Sequence, residues 1–185
     1  VYIETLHFTP DIDRDKVTVE VKLSGDAPRN TTFKLQTQTG ELQVFEEAIK
    51  RGRAQASFTL KIDKPRLWSL DDPFLYEVTT ELTAADQTDA VASYFGMREI
   101  SIEPMPDTRF PYVALNGEPV YLQLALDQGY HREGYYTYPS DEFMRNDILR
   151  TRRLGLNGQR IHVKIDPPRK LYWADKLGVL IQADV

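Results

Sequence analysis

The chain has 185 residues, of which 41% are hydrophobic and 28% are charged, and its formal net charge is -5. This composition is typical of a folded globular protein and excludes the disordered and fibrous classes. The absence of cysteine excludes disulfides, thiolate metal sites and cysteine nucleophiles. No apolar run approaches the roughly 20 residues of a membrane-spanning helix, and the acidic balance gives no reason to expect nucleic-acid binding.

The charge is unevenly distributed along the chain. Residues 1–103 carry the whole acidic excess, whereas residues 104–185 are nearly balanced. The chain begins at Val1 in a strand-like stretch and ends in the apolar run Val179-Leu180-Ile181. These features predict two regions and indicate a piece of a longer protein.

Residues 1–103 contain short runs in which apolar and polar residues alternate, separated by turn-forming residues. Period two with β-branched and aromatic residues is typical of strands that bury one face. About seven such strands in about 100 residues predict an all-β, immunoglobulin-like sandwich. The runs lie near Tyr2–Phe8, Val17–Leu23, Phe33–Leu35, Leu42–Val44, Ala54–Ile62, Leu75–Leu82 and Val91–Phe95.

From Tyr121 onward the pattern changes to strand, helix, strand, helix, strand, which is typical of a parallel sheet. Ser140 is placed to cap a first helix that Gly155 ends, and Pro167-Pro168 begins a second helix that ends before Gly178. The predicted strands are Tyr121–Leu126, Arg160–Ile165 and Val179–Ala183. A full α/β barrel needs roughly 250 residues, so residues 104–185 predict its first portion at most.

Each of the three predicted parallel strands carries polar residues toward its carboxyl end, where α/β barrels build their sites. Arg160 and His162 would donate hydrogen bonds in a polar pocket, and Asp127 and Asp184 would accept them. An ion-pair network that only shapes the mouth of the barrel would give the same pattern. Both interpretations stay open at this level.

The loop between Gln128 and Tyr138 is rich in aromatic residues and also contains His131. Such loops stack on the apolar face of sugar rings, but they also pack against neighbouring structure. Trp68 is interpreted as a packed anchor and His7 as a surface histidine. No cofactor or metal site is predicted, because glycine-rich phosphate loops, metal-spaced histidine pairs and nucleophile elbows are absent from the sequence.

Five strings in the sequence resemble glycoside hydrolase family 2, which contains β-galactosidases, β-glucuronidases and β-mannosidases. They match the family in order and spacing and extend over nearly the whole chain. The strings are Leu67-Trp68-Ser69-Leu70-Asp71-Asp72-Pro73-Phe74-Leu75-Tyr76, Tyr94-Phe95-Gly96-Met97-Arg98-Glu99-Ile100, Leu115-Asn116-Gly117-Glu118-Pro119-Val120-Tyr121-Leu122, Asn157-Gly158-Gln159-Arg160-Ile161-His162 and Tyr172-Trp173-Ala174-Asp175-Lys176-Leu177-Gly178.

The resemblance implies an immunoglobulin-like domain over residues 1–103 and the truncated start of a catalytic TIM barrel over residues 104–185. Family members hydrolyse β-glycosides with retention, using two glutamates on later barrel strands, so no catalytic residue is expected in this chain. The resemblance therefore implies a carbohydrate substrate for the parent protein and no glycosidase activity for the piece. A non-catalytic carbohydrate-binding or adhesion module is the alternative.

The residues expected to bind substrate are Asp127, Gln128, Arg160, His162 and Asp184. Arg160 and His162 match the family's arginine–histidine string, whereas Leu126-Asp127-Gln128 stands where the family has asparagine, arginine and histidine. An open parallel sheet also exposes a strand edge and apolar side chains, so we expect the piece to self-associate.

Overall fold

A computed structural model gives the arrangement of these segments and describes residues 1–40, 43–105 and 107–184. It contains thirteen strands and two helices among those residues. In chain order they are β1 (Ile3–Asp11), β2 (Lys16–Leu23), β3 (Thr31–Thr37), β4 (Val44–Ile49), β5 (Gln55–Lys61), β6 (Tyr76–Ala84), β7 (Gln87–Phe95), β8 (Ile100–Pro104), β9 (Pro111–Leu115), β10 (Glu118–Pro119), β11 (Leu124–Asp127), α1 (Asp141–Arg153), β12 (Gly158–Ile161), α2 (Pro168–Leu177) and β13 (Leu180–Ala183).

The chain divides into two compact units. The first contains Val1–Leu67 and Leu75–Glu99, and the second contains Trp68–Phe74 and the residues from Ile100 onward. The division places residues 68–74 and 100–103 with the second unit, although the sequence patterns grouped them with the first.

The first unit is the predicted β-sandwich. One sheet has the order β1-β2-β5 and the other has the order β4-β3-β6-β7, with antiparallel pairing throughout. The fourth strand pairs with β3, whereas in constant immunoglobulin domains it joins the sheet of the first, second and fifth strands. Leu42, which the sequence placed in the fourth strand, lies outside the described residues.

Strict alternation explains the core of the sandwich. Val17, Val19 and Val21 on β2 are fully buried, as are Phe33 and Leu35 on β3, while their neighbours along each strand are less buried. Aromatic stacking also joins the two sheets. Phe33 of β3 stacks on Phe58 of β5 with 5.2 Å between their ring centroids. Side chains from the two inner faces therefore meet, as expected for a sandwich.

The second unit begins with an antiparallel sheet of order β10-β9-β8 that the sequence analysis did not predict. Its strands are short, and Ile100 and Ile102 are exposed, so the alternation lacks the buried face that marks the sandwich strands. A tight turn at Asn116 and Gly117, both with positive φ angles, connects β9 to β10.

The parallel part of the second unit has the order β11-β12-β13, with α1 and α2 in the two connections. The hydroxyl of Ser140 accepts a hydrogen bond from the Phe143 N–H, as predicted for the cap of α1. The helices cover one sheet face, and Ile148, Ala174 and Val179 form the core there. The remaining members of this apolar group are Trp173, Leu177 and Ile181.

Three of the recognised sequence strings meet within the second unit. The fully buried indole of Trp68 donates through Nε1 to the Asp175 carbonyl at 2.7 Å, and the Asn116 amide donates to the Trp68 carbonyl at 3.0 Å. Gly178 ends α2 with φ 70°, and a Cβ there would lie 2.5 Å from the Leu70 carbonyl oxygen. Only glycine fits both requirements. Trp68 is thus a packed anchor, as predicted.

Candidate functional site

A buried polar cluster lies where β11 and β12 end and α2 begins. We call it the lysine cluster, and its members are Asp127, Tyr138, Lys164, Asp166 and Lys170. The Lys170 ammonium donates to Asp127, reaches the Tyr138 oxygen at 2.7 Å and lies 3.2 Å from an Asp166 oxygen. Lys164 donates to Asp166 at 2.5 Å. The cluster ties two strand ends and one helix together through charge-assisted hydrogen bonds.

Lys170 is fully buried, yet its surroundings favour the charged ammonium form. Burial opposes the ammonium form, but the hydrogen bond to Asp127 and the negative charges of Asp127, Asp166 and Asp147 outweigh it and raise the pKa of Lys170. Burial likewise opposes the Asp127 carboxylate, yet the same hydrogen bond holds the pKa of Asp127 below its ordinary value. Each partner stabilises the charged form of the other.

Tyr138 closes the cluster from the aromatic loop. Its hydroxyl lies 3.1 Å from Asp127 and 3.0 Å from Asp166, so its single proton is shared between two carboxylates while Lys170 donates to its oxygen. Burial, together with the negative charges of Asp127 and Asp166, raises the pKa of Tyr138 far above its ordinary value. The phenol therefore stays protonated and serves as a fixed hydrogen-bond donor.

A separate ion pair lies on the face of the parallel sheet that the helices do not cover. Arg160 donates to Asp184 through Nε at 3.3 Å and through a terminal nitrogen at 2.8 Å, and both side chains are partly exposed. Arg160 is in register with Leu126 and Gln182. Its neighbours Gln159 and Ile161 are buried, and Gln159 donates to Thr151 of α1 on the helix-covered face.

His162 lies just beyond the end of β12. Its Nδ1 is 3.2 Å from the Gln128 amide oxygen, and its backbone N–H donates to the Asp127 carbonyl at 3.0 Å. The contact between Gln128 and His162 joins the first residue of the aromatic loop to the end of β12. The arrangement places an imidazole and an amide side by side near the carboxyl ends of two neighbouring strands.

The structure brings together some of the predicted site residues and separates others. Arg160 meets Asp184, and His162 meets Gln128, but Asp127 is in register with Ile161 and points into the lysine cluster. The expectation that Asp127 and Arg160 face one pocket is therefore wrong in its geometry. Parity within one strand does not fix the register between strands, and the parallel pairing places Asp127 on the helix side.

The second parallel strand is also shorter than predicted. It ends at Ile161, because Val163 has φ 50° and leaves the extended conformation. Val163 and Ile165 are 76% and 74% exposed, so the last residues of the predicted strand are not packed in the sheet. Lys164 instead turns toward Asp127 and Asp166.

Tyr138, Asp166 and Lys170 belong to the site but were not predicted from the sequence. Lys170 follows Pro167-Pro168 by one helical turn, and a lysine there has the appearance of a solvated helix residue. The sequence gives little sign that this lysine is buried. Lysine is buried only when it is paired, and the carboxylates that pair with it here come from other segments. Of these three residues, only Asp166 had a sequence position that favoured the site, because it directly follows a predicted strand.

The described residues contain no group of three or more histidines and carboxylates arranged to hold a metal ion. Within the same part of the chain, no helix is both long enough and apolar enough to span a membrane.

Comparison with known families identifies the first part of the chain. A family profile described as "Glycosyl hydrolases family 2" matches residues 1–98, which is more than half of the chain. The chain belongs to glycosyl hydrolases family 2. The matched residues cover nearly all of the first unit together with residues 68–74 of the second, and they include the strings around Trp68 and Phe95.

Solved structures with the same fold as this family 2 chain include the following three proteins. A β-galacturonidase from Eisenbergiella tayi, bound to galacturonate, has a TM-score of 0.76 at 22% identity over 98% of this chain and 32% of that chain. A family member from Bacteroides cellulosilyticus has a TM-score of 0.78 at 20% identity, over 98% and 26%. A β-D-glucuronidase from Dictyoglomus thermophilum has a TM-score of 0.75 at 18% identity, over 100% and 29%. The family 2 chain spans about a third or less of these proteins.

Proposed function

We propose that this chain is part of a retaining β-glycosidase, with an immunoglobulin-like domain in the first unit and the opening βα units of an α/β barrel in the second. The observation that carries the proposal is the placement of Arg160, Asp184, His162 and Gln128 at the carboxyl ends of parallel strands. That end of an α/β barrel is where substrates bind. Family membership supports the reaction class.

In this proposal Arg160 and His162 contribute to the substrate pocket. The carboxylate of Asp184 holds the Arg160 guanidinium by two hydrogen bonds, so the arginine is oriented before a sugar arrives. Gln128 restrains the ring of His162 in the same way. Asp127 takes part through its backbone and through the lysine cluster, which anchors the loop that carries Gln128.

We further propose that the chain does not hydrolyse glycosides by itself. Retaining hydrolysis needs two carboxyl groups about 5 Å apart, one of which is a general acid with a raised pKa. Asp127 does not fit the acid role, because Lys170 lowers the pKa of this carboxyl. Asp166 is buried, and its carboxylate is already engaged by Lys164, Lys170 and Tyr138. The two glutamates of the family would come from other parts of the parent protein.

A panel of 4-nitrophenyl β-glycosides, assayed on this chain and on its longer parent, tests both statements. The panel includes glucuronide and galacturonide, because two of the neighbouring structures are named as enzymes for those sugars. We expect turnover by the parent and none by the chain alone. Turnover by the isolated chain would contradict the assignment of the catalytic carboxylates. An inactive parent that still binds glycosides would favour a non-catalytic carbohydrate-binding module.

A further inference from the structure

The aromatic loop separates into an inward and an outward part. His131 and Tyr138 pack inward, with 4.4 Å between their ring centroids, and His131 also meets Phe143 at 5.0 Å. Tyr130, Tyr135 and Tyr136 are instead 63%, 63% and 76% exposed. Packing within this chain therefore accounts for the first pair but not for the three exposed tyrosines, which we call the tyrosine platform.

The rings of the tyrosine platform contact one another. Tyr130 lies 6.0 Å from both Tyr135 and Tyr136 between ring centroids, at interplanar angles of 78° and 86°. These are favourable edge-to-face geometries. The three rings thus form one exposed aromatic patch, and contiguous patches of this kind mark binding surfaces more often than scattered apolar residues do.

The backbone holds the platform in place. His131 and Tyr135 exchange two backbone hydrogen bonds of 2.7 and 2.9 Å, and the Thr137 N–H and hydroxyl both donate to the Gly134 carbonyl. Gly134 has no room for a side chain, because a Cβ there would collide with the Thr137 carbonyl oxygen. Such a preformed loop loses little freedom when a ligand binds.

Both ends of the loop are attached to the lysine cluster. The Gly129 N–H donates to Asp127 at 2.6 Å, and Tyr138 is the phenol at the centre of the cluster. The loop also follows the carboxyl end of β11 directly, and Gln128 at its start contacts His162. The platform is therefore displayed from the strand end next to the proposed substrate pocket.

We propose that the tyrosine platform binds saccharides, as a stacking surface for a β-linked sugar unit beyond the one that would be cleaved. A pyranose whose substituents are equatorial presents a flat face of C–H groups, which stacks on a tyrosine ring, while its hydroxyl edge meets phenol groups. The position of the platform next to the proposed substrate pocket favours a sugar over a peptide or a lipid surface. The site deepens the proposed glycosidase function, on which it rests.

The test is an NMR titration of the chain labelled with ¹³C in its tyrosine and histidine rings. Cellobiose and lactose are the probes, and glycerol is the control polyol. We expect the ring signals of Tyr130, Tyr135 and Tyr136 to shift with either disaccharide and not with glycerol. Tyr136→Ala should weaken binding about two- to tenfold, because an aromatic contact of this kind contributes about 0.5–1.5 kcal/mol. Tyr136→Phe, which keeps the ring, should bind nearly as the original chain does.

Tyr121→Ala is the matched control, because Tyr121 is 72% exposed in the same unit and lies outside the loop. It should leave binding unchanged. Shifts at His162 without shifts at the platform would overturn the platform while leaving the proposed function intact. Absence of any disaccharide-dependent shift at the tyrosines would overturn it as well. Shifts that depend on protein concentration alone would identify a second copy of the chain as the occupant and would refute saccharide binding.

Discussion

Replacement of Lys170 by methionine removes the central cation of the lysine cluster while keeping a side chain of similar length. Lys170 is fully buried and faces three carboxylates, those of Asp127, Asp147 and Asp166. The substitution leaves these carboxylates with Lys164 as the remaining cation of the cluster. Removing one partner of a buried pair typically costs about 3–5 kcal/mol, so we expect the free energy of unfolding of the second unit to fall by that amount.

The assay follows from where the tryptophans lie. The chain contains two, Trp68 and Trp173, and both belong to the second unit. Urea unfolding followed by tryptophan fluorescence therefore reports on that unit. Arg153→Met is the matched control, because Arg153 is an exposed cation near the end of α1, and we expect a change within about 0.5 kcal/mol.

A double-mutant cycle with Asp127→Asn separates the pair from general loss of packing. If the ammonium and the carboxylate stabilise each other, the two substitutions together will cost less than the sum of the single changes, by about 1 kcal/mol or more. Because the folded pKa of Asp127 is lowered, its contribution is present above about pH 4 and is lost as the pH falls through the folded value. Lys170→Met should flatten this acid dependence. A Lys170→Met chain as stable as the original would refute the reasoning.

Three further predictions concern other parts of the chain. Hydrogen bonds from Arg169 and Trp173 hold the pKa of Asp141 at about 2. The stabilising contribution of this carboxylate should therefore be complete above about pH 4 and lost toward pH 2. NMR titration of the Asp141 carboxyl carbon will measure the pKa, and a midpoint near 4 would contradict the prediction. Phe33→Ala should destabilise the sandwich by about 3–5 kcal/mol, measured by circular dichroism during urea unfolding, and a loss below about 1 kcal/mol would argue against the stacked core. We also expect the chain to self-associate through the unpaired edge of β13, and light scattering that gives a monomer at all concentrations would refute this.

The sandwich could be predicted from sequence because each strand carries its own signal. Val17, Val19 and Val21 repeat at period two, and the same parity is buried in the structure. Helix limits were equally local, since Ser140 caps α1 and Gly178 ends α2 in the left-handed region. The β8–β10 sheet escaped prediction because its exposed residues, such as Ile102, leave no clear buried face.

The candidate site was predicted less completely. Arg160 and His162 were found because polar residues break the apolar pattern of a parallel strand. Lys170 was missed, since its partners come from β11, α1 and the segment before α2. A charge that is stabilised by distant segments leaves no periodic signal in its own element.

The sequence by itself determined the strands of the sandwich, the helix ends and the family strings, because period, capping and glycine requirements are properties of short segments. The tertiary structure decided which polar residues meet. Parallel pairing put Asp127 in register with Ile161, which turned a residue expected beside Arg160 toward Lys170. The tertiary structure also left three tyrosines exposed on a loop whose other aromatic residues are packed. Register and burial depend on contacts between segments far apart in the chain, so only the folded arrangement fixes them.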